Sequence, residues 1–182
     1  MRLFFAIILS DPVREHLRGL QALLKPIAPA SYVKPENLHL TLKFLGEVPE
    51  ARVKSLCEAA ARIAPVGAFS LAADRIVCFP EKGRIRIVGA GMDTPAQLRA
   101  LVEGLDDVGA HFGFHREKRA YTAHVTLARC RSPLQSTLRD RLSHTAQEHL
   151  PGPTMHISQF VLMQSLLKRE GAEYTPVAHL DI

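Results

Sequence analysis

The sequence predicts an α+β fold built as two related halves, on three observations. Short β-branched or aromatic runs alternate with longer stretches of helical periodicity through both halves. Turn-forming segments, "FPEKGR" at 79–84 and "LKREGAEY" at 167–174, separate neighbouring runs as hairpin loops do. A tetrapeptide of the form His, aliphatic, Thr, Leu occurs once per half, at His39 and at His124, 85 positions apart, where a duplicated unit would put it.

Arg2 to Leu9 is aromatic and aliphatic and reads as a buried strand. Ser10, Asp11 and Pro12 open a helix, with Ser or Asp as cap and Pro in the first turn. Leu17, Leu20, Leu23 and Leu24 give it one apolar stripe, so it runs to about Lys25. "KPIAPASYVKPE" is a Pro-punctuated loop. The first His-Thr run is a strand closed by Gly46, and a helix over Glu50 to Ile63 follows. Strands are expected at Phe69 to Cys78 and Arg84 to Gly89, then a helix opened by Thr94 and Pro95. The second His-Thr run is a strand, and Ser132-Pro133 starts a fourth helix ending near "LPGP". Two strands, Met155 to Leu166 and Tyr174 to Leu180, complete the chain.

The chain has 182 residues, enough for one compact domain with a sizeable core. Apolar residues make up 47% and charged residues 23%, which argues against disorder. The formal net charge of +5 favours an anionic partner, nucleic acid or a phosphorylated metabolite. Cys57, Cys78 and Cys130 are widely spaced, so neither a disulfide framework nor a zinc site is suggested. Asp11, Arg14, Glu15 and Arg18 interrupt the apolar opening too early for a leader or a membrane span, and a cytoplasmic setting is expected.

Side chains alternate along a strand, which sorts the two runs by chemistry. Asn37, His39, Thr41 and Lys43 share one face, and Leu38, Leu40, Leu42 and Phe44 take the other. Thr122, His124 and Thr126 line one face of the second run, opposite Tyr121, Ala123, Val125 and Leu127. Each strand therefore presents an imidazole and a hydroxyl about 7 Å apart. Two histidines in one cleft can divide an in-line displacement at phosphorus, one accepting a proton and the other donating one, without a metal or cofactor. The threonine hydroxyls can donate to the oxygens on which charge builds up. His111 and His115 flank a central Gly in "HFGFH", which reads as a loop or a frayed helix end and not as a metal pair.

In this spacing the two runs resemble the paired His-x-Thr-x motifs of the 2H phosphoesterase superfamily. The match is closest to its bacterial and archaeal RNA 2′,3′-cyclic phosphodiesterases, also called 2′-5′ RNA ligases. "RLFFAI", "VKPENLHLTLKFLGEV", "CFPEKGRIRIV", "HVTLAR" and "FVLMQSLLKREGAEYTPV" carry the resemblance across nearly the whole chain. It implies a single bilobal domain over 1–182, two lobes with antiparallel sheets and outer helices, related by a pseudo-twofold around a central cleft. It implies opening of the cyclic phosphate by water to a 2′-phosphate, and ATP-independent 2′-5′ joining in reverse. Carried over by position, His39 and His124 are the acid–base pair, with His39 as acid on the 3′-oxygen and His124 as base on water, and Thr41 and Thr126 bind the phosphate. Lys43 has the parity to join them. The resemblance adds Arg129 as a phosphate contact, but strict alternation puts it with Val125 and Leu127, so its participation requires a bulge or an earlier end to the strand. The expected partner is RNA with a 2′,3′-cyclic phosphate end, bound by a monomer with no membrane association, no cofactor and no metal. The alternatives are a related phosphodiesterase acting on a small cyclic nucleotide, a non-catalytic RNA-binding protein, and a metal-dependent hydrolase, for which the sequence supplies no ligand cluster.

Overall fold

The computed structural model describes residues 1–63, 65–168 and 171–182. Its elements follow in chain order: β1 Arg2–Ile8, α1 Asp11–Leu24, β2 Ser31–Tyr32, β3 His39–Glu47, α2 Glu50–Ala60, β4 Phe69–Leu71, β5 Ala73–Phe79, β6 Ile85–Met92, α3 Ala96–His111, β7 His124–Leu134, α4 Leu138–Ala146, β8 Met155–Ile157, β9 Gln159–Lys168 and β10 Gly171–Asp181. Eight strands form one antiparallel sheet in the order β10-β9-β1-β3-β7-β6-β5, with β2 also paired to β7. The α+β class is as the sequence predicts.

The two halves meet at the motif strands. β3 and β7 pair at Leu40↔Val125, after which β2 takes up the edge of β7 through Ser31↔Arg129 and Tyr32↔Ala128. Strands β1, β9 and β10 extend the sheet on the first side, and β6 and β5 extend it on the second.

One face of the sheet carries the main core. Leu3, Phe5 and Ile7 of β1, Leu40 of β3 and Val125 and Leu127 of β7 pack with Leu17, Leu20 and Leu24 of α1, Leu56 of α2, Leu98, Leu101 and Leu105 of α3 and Leu142 of α4. These are the apolar stripes that the helical periodicity marks. The opposite face buries only a small cluster, Phe4, Ala6, Val161 and Met163, with Tyr174 packed against it. Polar side chains on that face therefore stay accessible.

Four expectations need correction. Met155 to Leu166 is two strands, because β8 pairs with β4 outside the main sheet while β9 lies within it. Phe69 to Cys78 is two strands, because β4 leaves the main sheet to pair with β8 at Phe69↔Ile157 and Leu71↔Met155. Ser132 and Pro133 lie in β7, which pairs with β6 as far as Ile85↔Leu134, so the fourth helix starts only at Leu138. Ser10 occupies the cap position of α1 without a side-chain capping bond. The turn expected around "LKREGAEY" lies partly outside the described residues. The segment "HFGFH" does close a helix. Gly113 has φ +83, and the amides of Gly113 and Phe114 donate at 2.9 Å to the carbonyls of Ala110 and Gly109, a helix-terminating turn that suits glycine.

Candidate active site

The Leu40↔Val125 pair fixes what stands opposite what. In an antiparallel register, His39 then faces Thr126 and Thr41 faces His124. Opposed residues are about 5 Å apart and alternate residues about 7 Å, so the two histidine Cα atoms lie diagonally at roughly 8–9 Å. Leu40 and Val125 themselves point into the core. One local pairing thus gathers both motifs on the open face.

Each ring is oriented by its own strand. His39 Nδ1 is 2.8 Å from the Asn37 carbonyl, and His124 Nδ1 is 2.7 Å from the Thr122 carbonyl. A carbonyl only accepts, so Nδ1 carries the proton in both rings. In each neutral imidazole Nε2 is then the free acceptor, and in each imidazolium it is the second donor.

Aromatic side chains wall the rings. Phe4 lies 4.9 Å from His39 between centroids, and Tyr174 meets the same ring edge-on at 5.1 Å. Phe79 lies against His124 with ring centroids 4.6 Å apart and the ring planes tilted by 46°. That approach is compatible with Gly89 on the intervening strand. A Cβ there would sit 3.1 Å from the Val125 carbonyl, 3.2 Å from a Val77 methyl and 3.3 Å from His124 Cδ2.

Both imidazoles titrate below the ordinary histidine value. For His39 burial is the largest cause, opposed by the Asn37 carbonyl and reinforced by the charges of Arg129 and His124. For His124 burial again leads, opposed by the Thr122 carbonyl and reinforced by Arg129. Burial therefore favours two neutral rings, and an anion between them would favour a proton on one.

Arg129 and Lys43 exchange the places that alternation assigns them. In β7 the register steps from Gly89↔Thr126 to Val88↔Ala128, which leaves Leu127 as an extra residue. The bulge turns Arg129 to the exposed side, from which its charge acts on both histidines. In β3 the register steps from Ala6↔Thr41 to Phe5↔Lys43, leaving Leu42 as the extra residue. Lys43 accordingly does not stand beside Thr41. It is only 7% exposed, bonds Asp106 of α3, and donates at 2.7 Å to the His115 carbonyl.

The leucine that follows each Thr is thus the bulge residue of its strand. After it, β3 presents Phe44, 64% exposed, at the position where β7 presents Arg129. The pseudo-twofold is broken there, with an aromatic ring on one side and a guanidinium on the other.

Sequence reasoning did not find Phe4, Phe79 or Tyr174 as neighbours of the histidines. They come from segments distant in the chain, and each reads locally as an ordinary strand aromatic. Tyr121 also has a structural place: its hydroxyl donates to the Thr41 carbonyl at 2.8 Å, and burial raises its titration well above the ordinary tyrosine range. Among the described residues no group of three or more His, Cys, Asp or Glu side chains could hold a metal ion. No helix among them is long and apolar enough to cross a membrane.

The profile of the family described as LigT like Phosphoesterase matches the chain twice, over residues 7–89 and 91–174, one copy for each His-x-Thr motif. A protein of Methanothermobacter thermautotrophicus named RNA 2′,3′-cyclic phosphodiesterase is 32% identical over 180 residues, covering 96% of this chain and 95% of its own. The Escherichia coli protein of the same name is 32% identical over 184 residues, covering 97% and 93%. Among solved structures, E. coli LigT complexed with 3′-AMP superposes with a TM-score of 0.79 at 29% identity, covering 100% of this chain and 97% of that one. TT0787 of Thermus thermophilus gives a TM-score of 0.80 at 27% identity, with the same coverage.

Proposed function

The chain belongs to the LigT-like phosphoesterase family, and on that premise we propose that it hydrolyses RNA 2′,3′-cyclic phosphate ends to 2′-phosphates by a metal-independent, two-histidine mechanism. The observation that carries the proposal is the Leu40↔Val125 pairing. It supports His39, Thr41, His124 and Thr126 facing one phosphorus atom, with both Nδ1 atoms tied back and both Nε2 atoms free for chemistry.

In this reading His124 Nε2 takes a proton from water as the water oxygen attacks phosphorus. The bond from phosphorus to the 3′-oxygen breaks in line, and protonated His39 Nε2 delivers its proton to that oxygen. The 2′-ester remains. Thr41 and Thr126 donate to the non-bridging oxygens, and Arg129 neutralises the charge that gathers there. The cyclic phosphate, by arriving as an anion, raises the protonated fraction of the acid, which burial holds low. Run in the same direction with a 5′-hydroxyl in place of water, the same steps join RNA ends through a 2′-5′ linkage without ATP: the 5′-oxygen bonds to phosphorus as the bond to the 3′-oxygen breaks. Lys43 has no part in this scheme. The protein acts as one bilobal domain, monomeric and cytoplasmic, with RNA as its partner.

The test is incubation of an oligonucleotide bearing a 2′,3′-cyclic phosphate with the protein in EDTA, followed by identification of the product isomer. A 2′-phosphate is expected, with His39→Ala and His124→Ala each slower by about 10²- to 10⁴-fold. A 3′-phosphate, loss of activity in EDTA, or binding without turnover would each reject the proposal.

A further inference from the structure

The two histidines are held alike by the backbone but unlike by what covers them. His124 carries Phe79 on its ring, and its Nδ1 partner Thr122 shows no side-chain bond among the described residues. At His39 the carbonyl that accepts from Nδ1 belongs to Asn37, whose side-chain amide donates at 2.7 Å to the Ala172 carbonyl of β10. Two residues further along β10, the Tyr174 ring stands edge-on to His39 at 5.1 Å and 88°, and edge-on to Phe4 at 5.2 Å. The same short stretch of β10 thus reaches His39 by two routes, one polar and one aromatic.

That stretch is the outer part of a long hairpin. β9 pairs with β1 only from Leu3↔Gln164 to Ala6↔Val161, whereas β9 and β10 pair with each other from Gln159↔Asp181 out to Lys168↔Gly171. The hairpin beyond Gln164 is therefore a two-stranded arm that has left the sheet, and such a ribbon is only marginally stable without contacts elsewhere. The Asn37 amide and the Tyr174 ring supply contacts on the His39 side. Because a carbonyl accepts, the NH₂ of Asn37 must be the group that faces Ala172.

We propose that Asn37 and Tyr174 are positioning residues for His39, through which the β9–β10 arm sets the orientation and solvent cover of that ring and of that ring only. The proposal rests on the reading of the cleft given above. The ionisable groups that act on His39 are His124 and Arg129 of β7, with Tyr174 of β10 against its edge. Burial is the largest influence on its titration, so loosening the arm admits water and moves His39 back up toward the ordinary histidine value. His124, beyond reach of the arm's two contacts, keeps its own.

The experiment is a ¹⁵N NMR titration of both imidazoles in the substrate-free protein, for wild type, Asn37→Ala, Tyr174→Leu and Tyr174→Phe, joined to steady-state kinetics on a 2′,3′-cyclic mononucleotide. Thermal melting checks that each variant is folded, and Tyr174→Leu decides the matter if Asn37→Ala is not. Asn37→Ala and Tyr174→Leu are expected to raise the His39 midpoint, leave that of His124 in place, and lower kcat about tenfold with little change in KM, as a small misplacement of a reacting group does. Tyr174→Phe, which keeps the ring, is expected to match wild type in every measurement. An unmoved His39 midpoint in both variants, equal movement of the two histidines, or a loss confined to KM would overturn the proposal. Should the wild type turn over no cyclic phosphate, the proposed activity falls, while the titration still decides the role of the arm.

Discussion

Replacing Lys43 by Met tests the reversal of parity at Leu42. The Lys43 ammonium donates to Asp106 and to the His115 carbonyl in a site where Lys43 is 7% and the Asp106 side chain 17% exposed. Removing one partner of a buried ion pair costs about 3–5 kcal/mol. Asp106 would still accept from the Glu117 amide at 3.1 Å and pair with Arg116, and the methionine stem fills the space that Lys43 Cε takes against Gly109. The expected loss is therefore nearer about 2–3 kcal/mol. In a chain of this size that lowers Tm by about 4–12 °C.

Burial raises the Asp106 carboxyl, but Lys43, the Glu117 amide and Arg116 outweigh it and hold the group below the usual carboxylate range. A depressed carboxylate stabilises the fold above its unfolded value and loses that contribution as the pH falls through its folded value. The gap between wild type and Lys43→Met should accordingly narrow only below about pH 3.9. Circular dichroism melts and kcat/KM on a 2′,3′-cyclic phosphate, taken well below the melting range, provide the assay. The variant should melt early and work at nearly the wild-type rate. Had Lys43 bound the phosphate, losing a charged hydrogen bond of about 1.5–3 kcal/mol would cut kcat/KM by roughly 10- to 150-fold. That cut with an unchanged Tm would refute the reasoning.

Further outcomes follow from the same geometry. Because burial and Arg129 hold both imidazoles below the ordinary histidine value, the bell-shaped profile of kcat/KM should peak on the acid side of about pH 6.5. Arg129→Met should lower the peak and move both limbs upward, and limbs that stay in place would show that Arg129 does not reach the rings. Gly89→Ala introduces a Cβ 3.3 Å from His124 Cδ2 and 3.1 Å from a backbone oxygen, which should cost about 1–3 kcal/mol in stability and about tenfold in kcat, read by urea unfolding and initial rates. His16, with Nε2 buried and unpartnered among the described residues, is held below its ordinary value by burial first and His149 second. A depressed histidine leaves the unfolded chain binding more protons, so stability present above about pH 6.5 is lost as the pH falls below it. His16→Phe should flatten the decline in urea midpoint on acidification, and an equally steep decline would exclude His16 as a source of it.

The polar face of the motif strands was legible because strand parity is a local property. His39 with Thr41, and His124 with Thr126, lie two residues apart with no bulge between them, so alternation alone put each pair on one side. The helices were legible for a similar reason, since apolar stripes such as Leu17, Leu20 and Leu24 repeat at helical spacing. Their far ends were less so. β7 runs on through Pro133 because its pairing with β6 continues to Leu134, and Phe69 to Cys78 divides because β4 finds a partner in β8. Neither partner is visible in the local pattern.

By itself the sequence determined where the two His-x-Thr motifs lie, how their residues alternate along their strands, and that the arrangement occurs twice. The tertiary structure alone decided where the count restarts. A bulge arises when one strand spends an extra residue against its neighbour, so Leu42 and Leu127 act as register shifts only once β1 and β6 lie beside them, and with that shift Lys43 turns inward to Asp106 while Arg129 turns outward to the cleft. The cover of the histidines was decided in the same way. Phe4, Phe79 and Tyr174 reach the two rings from strands remote in the chain, through contacts that depend on the paired sheet and on no feature of the local sequence.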